Sequence, residues 1–227
     1  MKSGIVTQWP SRQKFAPFVT VGLALACIFV FLACASVSPI LQQALIDLGG
    51  MQAVEVSRLL HQPLSAWWSL PLLSVFTALF LHDSWLHLAG NLVYFWVFGV
   101  KIEQRLGHFA AALVFLLGGA LANVFVALKL FELATPIIGA SGAVSAVVGA
   151  YLALFPSRRI GLYLPLGLYL QFARVPALIV IGSWFALQLL YTMFDPTNAA
   201  VAWWTHLAGF GFGIGFILTA RALSLLK

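Results

Sequence analysis

Polar residues are so scarce in this chain that their positions dictate what it can fold into. From Phe15 to Leu223 the sequence passes repeatedly through apolar runs of about twenty residues, the length that crosses the hydrocarbon of a bilayer. Charged residues make up 8% of the chain and mean hydropathy is +1.01, whereas a soluble domain carries about 25% charged residues. The chain therefore reads as an all-α integral membrane protein with one membrane domain. Its formal charge of +6 would point to nucleic acid in a soluble protein. Here basic residues in cytoplasmic loops account for it, and no nucleic-acid partner is expected. Cys27 and Cys34 share the first apolar run and stand about 10 Å apart along a helix, too far to bridge.

Six spans use most of the sequence: about 15–37, 84–105, 108–130, 137–155, 176–194 and 200–223. A cytoplasmic tail, 1–14, precedes them, and 15–227 form the membrane domain. The N-terminal run reads as a retained span, because no small-x-small cleavage site follows it. A plain hydropathy window would fuse 70–100 into one span, but Asp83-Ser84 is a helix N-cap site that splits the run. The stretch before it, about 38–83, becomes a first external loop with interfacial helical pieces, where Trp67 and Trp68 suit a membrane interface. Residues 157–175 hold Arg158, Arg159 and Arg174 around an apolar middle and are expected to lie as a loop along the membrane surface. Six spans put both termini on one side. Placing that side in the cytoplasm gives it ten of the 12 Lys and Arg residues, with only Arg58 and Lys129 outside, the bias of cytoplasmic loops. The expected location is a bacterial inner (plasma) membrane.

Polar side chains within spans are costly, so each needs a reason. His87 and Asn91, in HLAGN, stand one turn apart on span two. Ser141 lies between Gly139 and Gly142 in span four, and His206, in THLAGFGFG, lies near the start of span six. In this topology all three spans begin at the external face, and these groups fall within about 10 Å of it by helical rise. Glycines beside Ser141 let a substrate backbone come close. Small residues at Gly142, Ala146 and Ala150, and at Gly209 and Gly213, let spans four and six touch. A serine hydroxyl needs a base, and a neutral imidazole serves near pH 7. The oxyanion that follows needs donors, which Asn91, His87 and the Ser141 N–H can supply. Asp83 reads as a helix cap, so the arrangement is a Ser141–His206 dyad without a third carboxylate. Plainer readings stand beside it: a packing helix for Ser141, interhelical hydrogen bonds for His87 and Asn91, or a bis-histidine haem site on His87 and His206. A transporter site would lie near the midplane, and a zinc protease would carry HExxH. No cofactor and no metal are expected.

GASG at 139–142, HLAGN at 87–91 and HLAGFGFG at 206–213 resemble the GxSG, HxxxN and HxxGxxxG signatures of rhomboid intramembrane serine proteases, each on the appropriate span. EQRLG at 103–107 resembles that family's ExRxG segment, and VPA followed by Trp184 and Gln188 resembles its fifth span. The resemblance implies a six-span rhomboid-like bundle in which Ser141 is the nucleophile and His206 the general base. It further implies that His87 and Asn91 sit at the oxyanion hole, with Gly139 and Gly142 bordering the substrate. The implied activity is that of a serine endopeptidase cutting single-span transmembrane protein substrates near the external membrane face, through a cavity open to water. Two positions depart from the pattern. Ser69 follows Trp68 where many members have Arg, and Ser145 stands one turn below Ser141 where many have an aromatic residue against the histidine. The alternative is a catalytically inactive relative that binds transmembrane clients. Glu103 and Arg105 read as a structural pair or as solvated interface charges.

Overall fold

A computed structural model describes residues 16–133, 135–166, 169–194 and 196–225; the expected tail, 1–14, lies outside them. In chain order the helices are α1 (Phe18–Ala35), α2 (Pro39–Gly49), α3 (Ala53–Leu60), α4 (Leu70–Thr77), α5 (Trp85–Leu106), α6 (His108–Lys129), α7 (Ser141–Leu154), α8 (Ala177–Phe194) and α9 (Pro196–Ala222), with a 3₁₀ turn at Ala78–Phe80. The fold is mostly helical rather than all-α. Residues expected as a surface loop contain a hairpin of β1 (Arg159–Leu166) and β2 (Tyr169–Pro176), in which Gly161 faces Arg174. A short apolar run flanked by arginines carries no decisive period, so helix, loop and strand were not separable from sequence there.

α1 and α6 are each long and apolar enough to cross a membrane, and α4 with α5 passes the same test as a pair bent by 82°. The bend falls where the sequence places it. Ser84 accepts a hydrogen bond from the His87 N–H at 3.2 Å, satisfying one of the orphan donors of the first turn of α5. At the other end of α5, Glu103 is fully buried. Its carboxylate accepts from the Val19 and Thr20 N–H groups at 2.8 and 2.7 Å and from the Thr20 hydroxyl at 2.6 Å, and it also meets His108. Pro17 offers α1 no side-chain cap, so Glu103 supplies one from a different helix, with its negative charge at the favourable end of the dipole. It is not a solvated interface charge.

The first loop is folded. α3, α4 and the turn after α4 contribute Val56, Val75 and Ala78, which with Met51 pack against Val126 and Ile137. Thr77 donates to Gly49 O at 2.6 Å and Asn123 to Val75 O at 2.9 Å, tying the loop together and to α6. Trp68 is 92% exposed and Ser69 stands at the start of α4, so Thr77 and Asn123 anchor this loop where the Trp68-Ser69 pair does not.

α7 is the axis of the molecule. Every residue from Gly142 to Tyr151 is buried, as a helix apolar on all sides requires, and α9, α6 and α5 surround it. The contact with α9 is backbone on backbone. A methyl group placed on Gly209 would strike the Gly142 carbonyl, one on Gly213 the Ala146 carbonyl, and one on Gly149 the Phe210 carbonyl. Gly213→Ala should therefore lower the midpoint of unfolding in detergent by the equivalent of about 1–3 kcal/mol, the range for overpacking. Gly211→Ala, whose added methyl meets open space, should leave the midpoint unchanged or raise it.

Candidate active site

α7 begins at Ser141 and not at Ile137, where the apolar run starts, because Gly139 has φ +114°, a region that favours glycine. The segment ahead of it is held extended. Met51 and Ile137 exchange two backbone hydrogen bonds of 2.9 Å, and the Gly139 N–H donates to Ala78 O at 2.9 Å. With 14 residues, α7 is about 21 Å long, short of a hydrocarbon layer of about 30 Å. Ser141 thus stands, half-buried, at the start of a helix too short to cross the hydrocarbon layer by itself.

Gly139 brings together three of the predicted positions. His87 Nε2 lies where a Gly139 side chain would begin, and Asn91 Nδ2 is 3.8 Å from the same point. The other ring nitrogen, Nδ1, is 2.9 Å from Asp83 Oδ1. Asp83 was expected as the helix cap; Ser84 takes that role and Asp83 orients His87. The hydrogen bond from His87 is the largest cause holding the Asp83 carboxyl down to about 2, from 3.8. A depressed carboxyl favours the pair above its ordinary value and loses it only as pH falls toward 2, so the pair is present throughout the neutral range.

His82 belongs to this cluster and was not singled out from the sequence. It is 1% exposed, with Nε2 at 3.1 Å from Asn91 Nδ2 and 3.4 Å from the Ala140 N–H, and Nδ1 at 3.2 Å from Phe80 O. A backbone N–H can only donate, so Nε2 accepts and the proton sits on Nδ1, donating to Phe80. That tautomer makes Asn91 donate as well and fixes which way its amide points. The available signal was a histidine closing an apolar run, which is costly unless bonded; its place beside a helix cap made it look like loop.

His206 is 2% exposed and neither ring nitrogen has a hydrogen-bond partner among the described residues. The Ser141–His206 hydrogen bond is therefore not made in this conformation. Packing sets the two at one level all the same: Thr205 and Gly209, on either side of His206, both contact Gly142. An aromatic residue does pack on His206, and it comes from α8. The Trp184 ring lies 5.6 Å from the imidazole in an edge-on arrangement, and its indole N–H donates to Ser145 Oγ at 3.3 Å, both side chains being buried. Ser145 thus leaves room for Trp184 and holds it. The side chain of Gln188 lies outside the described residues.

Residues 65–222, well over half the chain, match the family model of the Rhomboid domain. A stretch of 68 residues is 41% identical to Rhomboid-like protein 11, chloroplastic, of Arabidopsis thaliana. That stretch covers 30% of this chain and 24% of the relative, about a quarter of its length.

His82→Ala should destabilise the protein by about 1–3 kcal/mol, because it leaves the Ala140 N–H and an Asn91 donor buried without an acceptor. Thermal unfolding in detergent measures it, with exposed His61→Ala, on the first loop, as the control expected to stay near the wild-type value.

Proposed function

This chain belongs to the rhomboid family, and from that premise we propose that it is an intramembrane serine endopeptidase acting through Ser141 and His206. One observation carries the reading: a buried imidazole with no hydrogen-bond partner stands level with a serine at a helix start. An unsatisfied buried polar group costs about 1–3 kcal/mol, and a partner arriving with substrate relieves it. Catalytic hydrogen bonds are often long in the unliganded state and tighten in the complex, which accommodates the open Ser141–His206 pair.

In the proposed reaction Ser141 Oγ attacks the scissile carbonyl carbon and its proton passes to His206. The oxyanion is met by the Asn91 amide, oriented by His82, by the Ser141 N–H at the start of α7, and by His87 in its doubly protonated form, in which Nδ1–H stays with the Asp83 carboxylate and Nε2–H is left to donate. The C–N bond then breaks, with the proton moving from His206 to the leaving amine. Water hydrolyses the acyl-enzyme with His206 again as base. Gly139 and Gly142 border the path of the substrate strand. The substrates are single-span transmembrane proteins cut near the external face, by six spans with both termini cytoplasmic in a bacterial inner membrane. The distribution of Lys and Arg supports that orientation. The unmade dyad hydrogen bond favours a second reading, a client-binding relative without activity.

Cleavage of a fluorescent single-span reporter in liposomes separates the two. The wild type should cut, and Ser141→Ala and His206→Ala should each lose at least about a hundredfold, the lower range for losing a general base. A wild type that neither cuts nor reacts at Ser141 with a fluorophosphonate, yet retains a transmembrane client, would establish the second reading. On the first reading, Trp184→Ala should lower kcat by roughly ten- to a hundredfold through loss of imidazole positioning with KM little changed. Trp184→Phe, which keeps a ring against His206, should recover most of that loss.

A further inference from the structure

The end of the bundle opposite Ser141 holds a groove of about 480 Å³ between α5, α7 and the β-hairpin, bordered by Trp96, Val100, Lys101, Tyr151, Arg159 and Ile160. α5 and α7 run parallel here, since His87 touches Gly139 at one end and the Phe98 and Tyr151 rings are 4.9 Å apart toward the other. Tyr151 is ten residues past Ser141, about 15 Å further through the membrane. Lys101 and Arg159 are exposed at the rim. Arg174 pairs with Gly161 in the hairpin register, which places it on the same face as Arg159, two residues along the strand. Arg158 adds a further exposed cation beside them.

Among the described residues no carboxylate neutralises these groups. The sequence has six acidic residues. Asp47, Glu55 and Asp83 belong to the first loop, Glu132 precedes α7 on the Ser141 side, and Asp195 lies outside the described residues. Among the described residues only Glu103 is at this end, and both its oxygens are taken by α1 and His108. Among the described residues Lys101, Arg158, Arg159 and Arg174 make no ion pair with any of them. The walls beside the cations are apolar: Val97 and Val100 line the groove with Trp96, which is 54% exposed. Cations at headgroup level above an apolar wall fit an anion that carries a hydrocarbon tail.

We propose that this groove binds one anionic phospholipid, its phosphate held between Lys101 and Arg159 and an acyl chain laid along Trp96 and Val100. A free phosphate shares the headgroup chemistry but makes no use of the apolar wall. The site is separate from the serine and histidine and does not depend on their activity.

Native mass spectrometry of the full chain in a neutral detergent tests it, titrating phosphatidylglycerol, phosphatidylcholine with the same acyl chains, and inorganic phosphate. The expected result is one phosphatidylglycerol retained at least tenfold more tightly than phosphatidylcholine. Lys101→Gln and Arg159→Gln should each weaken it about fivefold, and Arg58→Gln, on the first loop, should leave it unchanged. Trp96→Ala should weaken both lipids alike. Equal retention of the two lipids would overturn the proposal, as would unchanged affinity in the Lys101→Gln/Arg159→Gln variant at wild-type thermal stability. Displacement of phosphatidylglycerol by millimolar inorganic phosphate would overturn it in favour of a soluble anion. Should the double variant unfold, Lys101→Glu alone decides by the same criterion.

Discussion

Backbone contact between α7 and α9 sets the geometry of everything else. Lipid is as apolar as leucine, so no hydrophobic force drives helices together within it, and association rests on close packing. Here that packing is made by Gly142 against Gly209, Gly149 against Phe210 and Gly213 against Ala146. Gly142 and Ala146 on one helix meet Gly209 and Gly213 on the other at the same four-residue spacing, so the two ladders fit in one register. A slip of one turn would move His206 by about 5.4 Å along α9, enough to part it from Ser141. The glycines therefore fix the level of the imidazole as well as the stability of the pair.

The short α7 creates a problem that the first loop solves. Four non-helical residues, 137–140, lead into Ser141, and in an apolar membrane protein backbone groups without partners are expensive. Met51, the Ala78 carbonyl and His82 supply those partners. They belong to the α2–α3 junction, to the 3₁₀ turn and to the break before α5, so three separate segments converge on one strand. The folded loop, with its own core and its tie through Asn123 to α6, is what allows a helix to begin in the middle of a membrane protein with its first N–H groups still available.

What the sequence disclosed follows from the same physics. Ser141, His87, Asn91 and His206 stood out because a polar group in an apolar run is rare, and the helix limits near Ser84, His108 and Leu223 lie within a few residues of those read from hydropathy and capping. His82 and Asp83 were misjudged because they sit at a helix start, where polar residues are ordinary and need no special account. The Trp184–Ser145–His206 contact joins three helices distant in sequence, and no spacing rule connects them. Ser145 read as a missing aromatic residue, when its small size is what admits Trp184. The hairpin was lost because its run is too short to show a period.

The two ends of the bundle treat charge in opposite ways, and α5 shows both. Near its start each polar group is closed into a circuit: Ser84 to the helix N-terminus, Asp83 to His87, His82 to Asn91 and Ala140. At its end the Glu103 carboxylate is committed to α1 and His108, and Lys101, Arg158 and Arg159 are exposed with no ion pair among the described residues. A closed network holds reacting geometry still, because each donor has only one place to point. An open set of cations cannot do that and instead takes its partner from the surroundings, which on the proposal above is a lipid headgroup. The asymmetry of Lys and Arg that supports the proposed orientation is thus the same one that leaves cations unpaired among the described residues at the end of the bundle away from Ser141.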